Sequence, residues 1–122
     1  MKNKKYDLED RLIDFGVLMI ELSERMDRER FAGRHLSGQL VRSGTSPCLN
    51  YGEAQAAESR KDFIHKLKVV LKELRESRRN LRLSSRAGLF RKGTLVKPGI
   101  DESAELIAIF VKSIQTAEKG GG

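Results

Sequence analysis

Six cations fall at Lys68, Lys72, Arg75, Arg79, Arg82 and Arg86, in steps of four, three, four, three and four. On an α-helix each residue advances by about 100°, so that spacing lays all six in one band, roughly opposite the apolar line of the same segment. Cations aligned in this way repel one another, and helix propensity alone does not explain the alignment. The chemistry such a band offers is the neutralisation of phosphates on a polyanion. Few aromatic residues lie nearby to stack on bases, so binding through the band is expected to be independent of sequence. The competing reading is a solvated helix face that serves only solubility.

The net charge of +7 is unevenly placed. Residues 59–100 hold thirteen Lys/Arg against three Asp/Glu, whereas residues 1–58 hold nine against ten and residues 101–122 two against four. The excess belongs to one segment, which marks it as a candidate surface for nucleic acid or another polyanion.

The other residues with chemical potential are fewer. Asn50 and Glu53 stand three apart in the stretch SGTSPCLNYGE. Asparagine forms helix poorly, so its place there points to a specific hydrogen bond, read as a polar clamp to another helix or subunit. A catalytic role would need a nucleophile, base or metal partner beside them, and none stands out. Cys48 has no nucleophile signature around it and reads as a small core or interface residue. His35 and His65 lack ligand spacing with any cysteine. Glu73 and Glu76 could act as a paired carboxylate, or simply form ion pairs with the arginines around them. Neither phosphate-cradling glycine pattern is present. The reading is a protein that is not an enzyme, with no cofactor and no metal.

These residues need elements to hold them. The 122 residues, 39% hydrophobic and 34% charged with two prolines, suit one folded helical domain. No apolar run approaches the roughly 20 residues of a membrane span, and MKNKKYDLED has no apolar stretch of a secretory signal. One cysteine allows no internal disulfide, which fits the cytoplasm. Apolar residues at Leu8, Leu12, Phe15, Met19, Leu22 and Met26 predict a first helix over 7–29, with Asp7 as N-cap. Ile13, Val17 and Ile20 draw a second apolar line on it, more than one buried face requires. Leu36, Leu40, Ser43, Pro47, Tyr51 and Ala54 predict a second helix over 35–57, kinked at Pro47, with Val41 and Cys48 on a second face. Gly33 falls in the connection before it. Ser59 caps a third helix over 60–87, whose core line is Phe63, Leu67, Val70, Leu74, Ser77 and Leu81. Residues 88–100, with three glycines and a proline, read as a loop, and a fourth helix spans 101–117. The tail 118–122 has nothing to bury and is expected to be disordered. The fold class is all-α, an antiparallel up-and-down four-helix bundle in a single domain spanning 1–122.

The stretch LVRSGTSPCLNYGEAQAAESRKDFIHKLKVVLKELRES resembles the four-helix-bundle proteins encoded in intervening sequences of bacterial 23S rRNA genes. The resembling positions are Ser46, Asn50, Glu53, Ser59, Asp62, Phe63, Glu73 and Glu76, within a match over about residues 36–83. The sequence departs from that pattern at Cys48, Leu49 and Tyr51, and at Asn80, near which the family often has an aromatic. The same fold serves accessory proteins of diversity-generating retroelements, which bind a reverse transcriptase and nucleic acid. Members of both groups form ring-shaped pentamers, so the resemblance implies a homopentamer, and the second apolar lines on helices one and two would then lie between subunits. Two functions remain open: a bundle binding RNA or DNA through the band, or a scaffold docking an acidic protein or a reverse transcriptase. Neither involves a membrane.

Overall fold

The structure, a computed structural model, describes residues 7–120. Four helices follow in order: α1 (Leu8–Ser23), α2 (Phe31–Gln55), α3 (Arg60–Arg86) and α4 (Lys97–Lys119). Each packs on the next, α4 closes against α1 with the narrowest contact, and the diagonal helices α2 and α4 meet only through side chains, the Tyr51 ring standing edge-on to Phe110 with centroids 5.8 Å apart. This is the expected up-and-down bundle. Its core is built on the apolar lines foreseen for the first three helices, Leu12, Phe15 and Met19 on α1, Leu40 on α2, and Leu67, Val70, Leu74 and Leu81 on α3, which are buried together with Leu106 and Phe110 of α4.

Local chemistry starts the helices. The Asp7 carboxylate accepts from the Asp10 amide at 2.8 Å, and the Ser59 hydroxyl accepts from the Asp62 amide at 3.0 Å, each satisfying a donor with no intrahelical partner. α1 and α2 approach closely where glycines meet: a Cβ on Gly44 would run into the Met19 side chain, and one on Gly16 would lie 3.5 Å from the Gly44 carbonyl oxygen. Serines foreseen on the two core lines meet between α2 and α3, where the buried Ser77 hydroxyl donates to that of Ser43 at 2.9 Å. The second helix runs unbroken through Pro47, which is buried.

Four boundaries differ by two residues or more from those expected of the sequence and bear on the packing. The first helix stops at Ser23, not 29, because the backbone of the next residues turns to the α3–α4 loop. The Asp27 amide donates to the Leu89 carbonyl at 2.7 Å and the Arg91 amide to the Arg25 carbonyl at 2.8 Å, around an antiparallel pair of Met26 and Phe90. Met26 and Leu89 are both fully buried under this clasp. Gly33 is not in a connection but in the opening turn of α2, where its missing Cβ lets the Asp27 backbone sit against the helix. The fourth helix begins at Lys97, four residues before the expected Asp101. Pro98 lies in its first turn, where an absent N–H costs nothing, and Gly99 is buried against Leu22, Leu81 and Met19. At its far end α4 continues to Lys119, so Glu118 and Lys119 are helical and not disordered. Arg60 donates to the Ala117 carbonyl at 2.9 and 2.6 Å, and Lys68 pairs with Glu118 at 3.1 Å. Gly121 and Gly122 lie outside the described residues.

Candidate nucleic-acid interface

All six band residues, Lys68, Lys72, Arg75, Arg79, Arg82 and Arg86, are exposed on α3. Lys68 has Glu118 as its partner, and among the described residues no carboxylate oxygen lies within 4.0 Å of the other five. The cause is a sorting of charge around α3. Its two mid-helix acids, Glu73 and Glu76, face α2 and are taken by Arg42, while the acids of early α4, Glu102 and Glu105, are taken by Arg11 of α1. What remains along the α3 surface is cationic. Arg78, which lies closer to the core line, is half-buried, and its Nε has no hydrogen-bond partner; it is the one such buried side-chain nitrogen or oxygen among the described residues.

The paired carboxylates are thus an ion-pair site between helices. Arg42 donates to Glu73 at 3.1 Å and to Glu76 at 3.0 Å. The Glu73 side chain is 9% exposed against 50% for Arg42. Burial and the adjacent Glu76 push the Glu73 carboxyl up, while the neighbouring Glu73 and Arg42 hold Glu76 down. A carboxyl raised in the folded state keeps its proton more tightly there, so its contribution to stability falls as pH rises through the ordinary carboxylate range near 4.3. Deleting Arg42 raises Glu73 further. Arg42→Ala is therefore expected to cost about 1–3 kcal/mol at pH 7, and distinctly less near pH 4, where Glu73 takes up a proton. Thermal melts at the two pH values measure the difference; equal losses would show that Arg42 does not hold the charge of the pair.

Asn50 does not reach another helix of its own chain. Its amide donates one turn back, to the Ser46 carbonyl at 3.2 Å and the Ser46 hydroxyl at 2.7 Å. Glu53 is exposed, so within the chain it is no buried clamp. The interhelical asparagine is Asn80: buried, it donates to the Leu36 carbonyl at 3.0 Å and accepts from Ser84 at 2.8 Å. The sequence signal for it was the same one used for Asn50, an asparagine in mid-helix flanking the core line. Cys48 is half-buried, its thiol donating to the Thr45 carbonyl at 3.3 Å, and burial pushes that thiol up, away from the reactive thiolate. His35 and His65 are exposed. No group of three His, Cys, Asp or Glu among the described residues is placed to hold a metal ion, and no helix among them is long and apolar enough to cross a membrane.

The second apolar lines face outward. Ile13, Val17 and Ile20 are 43%, 49% and 38% exposed, and Val41 and Leu49 on α2 are exposed as well. Because Gly16 seats against Thr45, the α1 line and the Val41–Cys48 face flank the same helix–helix seam.

Known proteins bear on this arrangement at the level of the whole chain. The sequence profile of the 23S rRNA-intervening sequence protein family matches residues 4–109. The chain belongs to that family. A solved structure from Bacteroides thetaiotaomicron VPI-5482, described as a protein with unknown function from the S23 ribosomal protein family, is 30% identical and superposes with a TM-score of 0.79. The similarity covers 90% of this chain and all of that one. No curated protein matches. In this 23S rRNA-intervening sequence protein the resembling positions separate by role. Ser59 and Asp62 start α3, Phe63 is half-buried against the core, Ser46 and Asn50 bond within α2, and Glu73 and Glu76 receive Arg42.

Proposed function

We propose that this 23S rRNA-intervening sequence protein is a non-catalytic, cytoplasmic homo-oligomer, a pentamer by its resemblance, that binds RNA or DNA phosphates through the outer face of α3. The observation that carries the reading is that Lys72, Arg75, Arg79, Arg82 and Arg86 are exposed together with no carboxylate within 4.0 Å among the described residues. A face that served solubility alone would gain from interspersed acids, as α1 and α4 have. Repetition of the band around a ring would multiply the phosphates engaged. The oligomer is supported by the outward apolar line Ile13, Val17 and Ile20 beside Val41. The test is titration of duplex and single-stranded RNA and DNA at several salt concentrations. Affinity that falls steeply with salt and little with sequence supports the reading. No binding even at low salt overturns it and leaves the scaffold reading, in which the same unpaired cations dock an acidic protein or a reverse transcriptase.

A further inference from the structure

The band is a convex surface, but on its α4 side the cations close around a recess. Arg75, Arg78, Arg79 and Arg82 line a cavity of about 220 Å³ with Ile107 of α4. The heptad logic of α3 explains the convergence: residues three, four and seven apart share a face, so 75, 78, 79 and 82 form one cluster over two turns. None of the four has a carboxylate within 4.0 Å among the described residues, and the inner one, Arg78, keeps an Nε with neither solvent nor a partner. A buried guanidinium N–H left unpaired is costly, and an arrangement that retains one beside three further guanidinia is satisfied by an oxyanion.

We infer that this recess is a discrete pocket for a single phosphate group, with Arg78 as its inner donor and Arg75, Arg79 and Arg82 closing over the outer oxygens. Guanidinium suits this because its planar fork offers two parallel N–H groups to two oxygens, which a lysine ammonium does not. Ile107 supplies a dry wall on the α4 side, which strengthens charge-assisted hydrogen bonds relative to those on the open band. The inference rests on the phosphate-binding reading for its ligand and goes beyond it. Lys68, Lys72 and Arg86 act as steering charge, whereas the recess seats one phosphate of the chain and fixes its register along α3.

The experiment follows the arginine Nε–H resonances of the full chain by NMR while inorganic phosphate is added, with sodium chloride at matched ionic strength as control. The expected result is a saturable shift of the Arg78 Nε–H, absent with chloride. Arg78→Met, which keeps the packed stem, is expected to weaken phosphate binding about tenfold or more, and Arg78→Lys to restore it only in part. Lys68→Gln/Lys72→Gln is expected to leave phosphate binding unchanged while weakening RNA binding. Should Arg78→Met unfold the protein, Arg82→Gln, at an exposed position, makes the same test. A shift that chloride reproduces, or phosphate binding indifferent to both Arg78→Met and Arg82→Gln, overturns the pocket. Parallel RNA titration separates the two claims. RNA binding with no phosphate response at Arg78 leaves the band and removes the pocket, and a phosphate response without RNA binding does the reverse.

Discussion

Reversing Arg75, Arg79 and Arg82 to glutamate is expected to abolish measurable binding to RNA and DNA of any sequence at physiological salt. Each phosphate contact releases condensed counterions, so log affinity falls against log salt by about 0.7–0.9 per contact. Removing three contacts should flatten that slope by about 2–3, and the new like charges then repel the backbone. Weakening must be uniform across sequences, because nothing on the band reads base edges. The fold should persist: all three residues are exposed, and none bonds a core group. Filter binding at four or more salt concentrations, with circular dichroism to confirm the helices, measures both. A variant that keeps wild-type affinity and slope would move the nucleic-acid site elsewhere on the molecule or remove it.

In the proposed homo-oligomer, Val17→Asp is expected to convert the assembly to single chains. Val17 stands mid-way along the outward apolar line of α1 and is half-exposed in one chain, so a carboxylate there costs the isolated bundle little, about 0.5 kcal/mol or less. Buried between subunits, the same carboxylate lacks a partner and costs several kcal/mol at each interface. Light scattering on wild type and variant at micromolar concentration, beside thermal melts, gives the answer. A wild type that already runs as a monomer overturns the oligomer, and a variant that stays assembled places the interface on another face. Loss of the proposed ring would also separate the bands, so weaker RNA binding by Val17→Asp despite intact arginines is the expected companion result.

What the sequence disclosed and what it withheld divide along a physical line. Periodicity reported burial: Leu12, Phe15, Met19, Leu67, Val70 and Leu74 lie where their spacing put them, and even Ser43 and Ser77, serines on apolar lines, proved to be buried partners. The caps at Asp7 and Ser59 were legible because a cap is a contact between near neighbours. The end of α1 was not, since the bonds that stop it come from Leu89 and Arg91, far along the chain. Pro98 and Gly99 read as loop from composition, yet one suits a first helical turn and the other a tight packing contact. The exposure of the basic band was legible from spacing. That five of its six cations have no carboxylate within 4.0 Å among the described residues was not, because that depends on which helix each glutamate faces. The orphaned Nε of Arg78 is likewise a fact of three dimensions. Asn50 and Asn80 are both helix-disfavouring residues beside a core line, and only packing shows that within the chain Asn80 is the one bonded to another helix.

The clasp of Met26 on Phe90 has a consequence for the order of folding. It joins residues sixty-four apart (90 minus 26), and closing a loop of that length costs about 4 kcal/mol in chain entropy before any contact rewards it. The α2–α3 hairpin, linked through residues 56–59 alone, meets no such barrier. It is the natural nucleus, on which α1 and α4 dock before the two loops lock. A clasp made after the rate-limiting step contributes little to the speed of folding and much to the slowness of unfolding. Met26→Ala and Leu89→Ala should accordingly steepen escape from the native state and leave the refolding rate nearly unchanged in stopped-flow traces. The clasp would then act as a kinetic latch, setting the lifetime of the folded bundle.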